Sequence, residues 1–166
     1  MTTAGSIGKN HCSVYSMHMT TKLTHALDLS QNYPRSPRAT LAGFVVAARM
    51  LDKCRAEVAG TADEYHYNCP LDQMFFEFTE IDPENFKAFV ATDADDDDVA
   101  DWIKENGKSL SEEDIVLWNN SLRYKRISEM PKKLQVFLES YIQEVVPAGK
   151  IVYHWFDVYD IEEERI

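Results

Sequence analysis

Within one short run of this chain, Tyr65-His66-Tyr67-Asn68-Cys69-Pro70-Leu71-Asp72, three side chains are suited to nucleophilic chemistry. Pro70 reads as the first residue of a helix, where proline's missing N–H costs nothing. Cys69 then occupies the cap, in the positive potential that favours a thiolate. His66 is the candidate base and Asp72 the group that orients it. The same residues also make an ordinary turn, with Asn68 and Cys69 capping and packing. Whether the chain is an enzyme therefore stays open.

Basic residues supply a second candidate. In Pro34-Arg35-Ser36-Pro37-Arg38 the pair Ser36-Pro37 reads as cap and first helical residue, flanked by two arginines. Cations are disfavoured at a helix N-terminus, so an anion between the guanidinium forks and the free N–H groups would reverse that penalty. Arg49 and Lys53 follow at a spacing of four, on one helical face. The expected site is a pocket for a small anionic ligand: Arg35, Ser36, Arg38, Arg49 and Lys53, with Tyr65 and Asn68 on its wall. The competing reading pairs these cations with the chain's own carboxylates, such as Glu57, Asp72 or Glu162 to Glu164.

Acidic residues invite a calcium reading that fails. Asp93, Asp95 and Asp97 have EF-hand spacing, but Asp98 stands where that loop needs glycine and Lys104 where it needs a bidentate glutamate. The run reads instead as an acidic helix cap. His11, Cys12 and His18 lie in a stretch without periodicity, so no metal site and no cofactor is expected.

Helix punctuation positions these residues. Leu41, Phe44, Val45, Ala48, Leu51 and Val58 keep a helical period from Ser36-Pro37 to Gly60, which reads as a central buried helix. Pro70, Asp82-Pro83, the aspartate run, Ser111 and Met130-Pro131 open five more. Trp102, Trp118, Phe75, Phe78 and Phe137 fall on apolar stripes and read as core. Residues 64–68 alternate, and 151–159 are rich in β-branched and aromatic types, so both read as short strands that pair with each other. The expected fold is mostly α, a single compact domain of about six helices with at most a small two-stranded β element. Residues 1–18 read as a disordered tail and 19–166 as the globular domain.

Composition bounds the rest. With 166 residues, 45% hydrophobic and 27% charged, the chain is an ordinary globular domain. A net charge of −11 argues against nucleic acid or an anionic membrane as partner. The segment 22–55 is the basic one, whereas 56–122 holds three basic residues against eighteen acidic ones. An acidic face around 93–114 is thus the alternative site, for a protein partner. Three cysteines, no apolar leader and no membrane-length apolar run point to the cytoplasm.

Taken together, Asp28-Leu29, Pro34 to Arg38, Arg49 to Lys53, Arg55-Ala56, Ala59-Gly60-Thr61, Glu64-Tyr65 and Tyr67 to Asp72 resemble a bacterial family of small soluble proteins of unknown function. The resemblance covers roughly residues 26–160. It implies a single-domain cytoplasmic protein and brings no activity with it.

Overall fold

The computed structural model describes residues 23–166, so the tail expected over 1–18 lies outside the described residues. Seven α-helices follow in order: α1 (Ala47–Ala59), α2 (Pro70–Thr79), α3 (Pro83–Val90), α4 (Asp96–Asn106), α5 (Glu112–Arg123), α6 (Lys132–Val145) and α7 (Trp155–Glu162). A short 3-10 turn, Ile127–Glu129, precedes α6.

Local chemistry starts most of them. Pro70 and Pro83 occupy first-turn positions of α2 and α3, and the Asp82 carboxylate accepts the N–H of Asn85. Reciprocal capping boxes close α4 (Asp95 with Asp98) and α5 (Ser111 with Asp114). Asp96 turns to Arg35 and Arg55, while Asp93 receives the N–H and hydroxyl of Thr24. Asp93, Asp95, Asp96 and Asp98 are thus engaged in caps and contacts, while Asp97 stands exposed.

Two expectations are corrected. The central helix does not begin at Ser36-Pro37. Residues 37–46 fold as turns, with Ala42, Gly43 and Val46 at positive φ, and α1 starts at Ala47. A left-handed residue cannot continue a right-handed helix. The segment is pinned by bonds the period does not encode: Val46 N–H donates to the Pro37 carbonyl at 2.8 Å. Asn119 accepts from Val45 N–H at 3.0 Å and donates to the Gly43 carbonyl at 2.8 Å. Its apolar residues are still buried, but from a turn.

The second correction concerns the two short strands. Among the described residues no strand forms. Asp63 and Asn68, at φ 51° and 58°, break the 64–68 run into turns. Trp155–Glu162 is the seventh helix, and among the described residues the β pairing of the 151–159 segment is limited to an isolated bridge from His154 to Arg126. Trp155, Phe156, Val158 and Ile161 are all buried there, so tertiary burial overrides β propensity.

Two apolar clusters make up the core, and α1 contributes to the first. Met50, Leu51 and Cys54 pack with Phe44, Phe75, Phe76, Phe86, Val99 and Ile103. Val45, Val46, Leu71, Leu122, Met130, Leu138, Trp155 and Phe156 form the other. Edge-to-face and stacked rings organise the first, with Phe44–Phe75 centroids at 5.5 Å and Phe78 stacked on Trp118 at 5.0 Å. Phe137, expected in the core, is exposed on α6 and stacks on Tyr141. No helix of the described residues is long and apolar enough to cross a membrane.

Burial extends to the charges of α1. Arg49, Asp52, Lys53 and Arg55 are each less than 5% exposed. An unpaired charge there would cost several kcal/mol, roughly, so each must meet a partner. Arg55 reaches the Asp96 carboxylate and the Ala94 carbonyl, both at 2.7 Å, and Asp52 receives Arg35.

Candidate functional site

Arg49 and Lys53, one turn apart on α1, face a cleft of about 260 Å³. Glu64, Tyr65, His66, Cys69 and Leu71 form one side of it, and Tyr141, Tyr159, Glu162 and Glu163 the other. The first group belongs to the turns before α2 and its first residues. The second comes from α6 and the C-terminal end of α7. Helical spacing on α1 thus brings two distant segments to one opening.

Lys53 lies deepest. Its ammonium donates to both carboxylate oxygens of Asp72 at 2.8 Å, to the His66 carbonyl at 3.1 Å and to Cys69 Sγ at 3.1 Å. Asp72 is fully buried, so the two charges cancel locally and hold the lysine tip against the sulfur. Cys69 is the N-cap of α2 and makes no side-chain cap, which leaves the first-turn N–H groups of the helix without that partner. The start of α2 and the Lys53 ammonium thus both meet one thiol.

Arg49 is held differently. It forms a forked pair with Glu163, and Tyr65 and Tyr159 lie at 5.6 and 4.9 Å from its guanidinium carbon. Burial opposes its charge, but Glu163 outweighs burial and raises its pKa. The Tyr65 hydroxyl donates to Glu163 at 3.1 Å, and burial together with that carboxylate pushes the phenol up. Tyr159 is pushed up chiefly by burial, and Tyr141, which donates to Glu162, by burial and then that acid. All three tyrosines are neutral hydrogen-bonding groups at ordinary pH.

The residues singled out from sequence divide cleanly. Arg49, Lys53, Tyr65, His66 and Cys69 line the cleft, and Asp72 anchors Lys53 behind it. Asp72 orients the lysine rather than His66, which stands exposed at the mouth. Arg35, Ser36 and Arg38 are elsewhere. The helix terminus expected behind them does not exist, since α1 begins at Ala47. Arg35 binds Asp52 and Asp96, Arg38 binds Asp157 and Asp160, and Ser36 Oγ accepts the N–H of Arg38. Asn68 turns to a separate depression beside Pro83, with its Oδ1 buried and unbonded.

Sequence reasoning missed the far wall as a wall. Tyr159 belongs to the aromatic-rich 151–159 segment, and Glu162 to Glu164 are carboxylates suited to arginine. Nothing local tied them to Cys69, some ninety residues away. Among the described residues no group of three His, Cys, Asp or Glu side chains is arranged to hold a metal.

A family model described as a domain of unknown function, DUF5069, matches residues 31–165. No curated protein matches the chain.

Proposed function

Because the chain belongs to the DUF5069 family, whose description carries no activity, we propose from the cleft alone that it binds a small metabolite and acts on it through Cys69. The reading is carried by one observation: a buried lysine ammonium 3.1 Å from a thiol at the uncapped start of α2, on the wall of a cavity. Helix N-termini and ammonium groups both stabilise negative charge, on the sulfur or on an oxygen that becomes anionic as sulfur adds to a carbonyl carbon. Lys53 and the first-turn N–H groups are the oxyanion partners, Cys69 is the nucleophile, and Arg49, Tyr65 and Tyr159 shape the binding surface. His66 is the proton acceptor available at the mouth.

Charge narrows the ligand. Lys53 and Arg49 are already matched by Asp72 and Glu163, and Glu64 and Glu162 add two more acids to the lining. A single carboxylate or a polarised carbonyl fits this field better than a polyphosphate. Arg35, Ser36, Arg38 and Asn68 stand outside this site and serve the fold.

A thermal-shift screen with carboxylated, carbonyl and phosphorylated metabolites, on wild type and Cys69→Ser, tests the reading. Stabilisation by a carboxylated or carbonyl compound, with alkylation of native Cys69 by iodoacetamide blocked by that compound, is the expected result. An inert Cys69 and no shift with any compound would overturn it. The second reading rests on the exposure of Asp97, Asp98, Asp101, Glu105, Glu112 and Glu113. It is an acidic docking face for a basic protein, and salt-sensitive binding of such a partner, lost on charge reversal there, would favour it.

A further inference from the structure

We propose that Lys53 and Cys69 are a modification site, at which a hydroperoxide links the two side chains covalently through a sulfur–nitrogen bond. The proposal needs no metabolite in the cleft and is independent of the reading above. Three features carry it. Cys69 Sγ faces the cleft, so a molecule as small as hydrogen peroxide can reach it. Lys53 Nζ stands 3.1 Å from that sulfur, while burial and two carboxylate bonds restrain it from swinging away. Asp72, at 2.8 Å from the same nitrogen, is placed to take its proton.

The chemistry balances with one equivalent of peroxide. Sγ attacks one peroxide oxygen and the O–O bond breaks. The other oxygen leaves as water with the thiol proton, and Cys69 becomes a sulfenic acid. Sulfur is oxidised by two electrons and the peroxide is reduced. Asp72 then accepts one proton from the Lys53 ammonium, and the freed amine attacks sulfur. The S–O bond breaks, and the departing hydroxide leaves as water with a second proton from the nitrogen. Sulfenic acids are known to condense with nitrogen nucleophiles in this way, and thiols reverse the bond.

The link has a consequence for the site. It replaces an ammonium by a neutral nitrogen, leaving Asp72 buried without a counter-charge once its proton returns to solvent. It also removes the thiol from the cleft wall. The pair is thereby a switch between a cleft with a free thiol and one without. Cys54, fully buried and with its thiol pushed up to about 12 by burial, is not a competitor.

Peptide mapping by mass spectrometry tests this. The Cys12→Ser chain is used, so that the thiol of Cys12 cannot intervene. It is treated with hydrogen peroxide, then digested with and without dithiothreitol. The expected result is a cross-linked pair of peptides, lighter by two hydrogens than their sum, joining Lys53 to Cys69. It disappears with dithiothreitol and does not form in Lys53→Arg, where the positive charge is kept. A stable dimedone adduct on Cys69 of the Cys12→Ser chain without cross-link, a Cys69 unchanged by peroxide, or a link to another residue would each overturn the proposal. The Cys12→Ser map alone decides the matter if Lys53→Arg fails to fold.

Discussion

Arg49 and Glu163 meet in a forked pair almost fully removed from water. Nη1 lies 2.8 Å from Oε2 and Nη2 2.6 Å from Oε1, with side-chain exposures of 4% and 1%. The pair joins the central helix to the end of the chain, and Arg165 and Tyr65 add further bonds to the same carboxylate. It therefore closes one wall of the cleft against the other.

Glu163→Gln leaves the Arg49 charge buried with a neutral partner. Breaking one side of such a pair costs about 3–5 kcal/mol. The urea midpoint is expected to fall accordingly. Replacing both partners together by apolar residues of similar volume should recover much of the loss. A midpoint within experimental error of wild type for Glu163→Gln would mean that the pair does not hold the C-terminal segment.

Asn119→Ala tests how the turn before α1 is held. The substitution strips partners from the buried Val45 N–H and the Gly43 carbonyl, at roughly 1–3 kcal/mol for each group left unpaired. Equilibrium denaturation should show a loss of that order. Amide exchange at Val45 should speed up more than at α3. Unchanged protection of Val45 would show that the turn needs no such clamp.

Acid should loosen the Arg38 contacts. Burial pushes the Asp157 carboxyl up, but N–H groups of His154 and Tyr153, then Arg38, outweigh it and hold it below its ordinary 3.8. Asp96 is likewise lowered: burial again opposes, and Arg35 and Arg55 prevail. A depressed folded value means the stabilisation is complete above the unfolded value, about pH 4, and is lost as pH falls through the folded one. Stability should thus decline below about pH 4. Asp157→Asn should flatten that decline while lowering stability at neutral pH. Parallel pH profiles for the two proteins would contradict this assignment.

Glu80→Gly should stabilise. Glu80 ends α2 in the left-handed conformation at φ 58°, where a side chain is strained and glycine is not. Its partner Lys108 is 3.0 Å away, but both side chains are at least half exposed and such pairs contribute little. A gain of up to about 1 kcal/mol is expected, left-handed strain of roughly 1–2 kcal/mol less the entropy glycine adds to the unfolded chain, and it is read as a higher unfolding midpoint. A lower midpoint would mean that the surface pair matters more than the backbone.

Much of the helical scaffold was legible in the sequence. Pro70, Asp82-Pro83, Asp95 and Ser111 act on groups within three or four residues, so their spacing alone identifies the starts of α2 to α5. The near wall of the cleft was legible for the same reason: Tyr65, His66 and Cys69 are neighbours in the chain, and Arg49 and Lys53 share a helical face. The start of α1 was not. Its apolar period runs on through residues 41–46, while positive φ at Ala42, Gly43 and Val46 and the clamp from Asn119 break the helix there. α7 was hidden by its β-branched and aromatic residues, which helical burial accommodates as well as a strand would.

What the residues determined by themselves is the set of short-range structures: which stretches coil, where proline and side-chain caps begin them, and that Arg35, Arg38, Arg49, Lys53 and Arg55 lie early in an acidic chain. What only the tertiary structure decided is where those cations point. Arg38 finds its acids at positions 157 and 160, Arg49 at 163, and Lys53 at 72. The physical reason is that a buried charge accepts any carboxylate the fold brings within reach, and sequence separation places no limit on that choice.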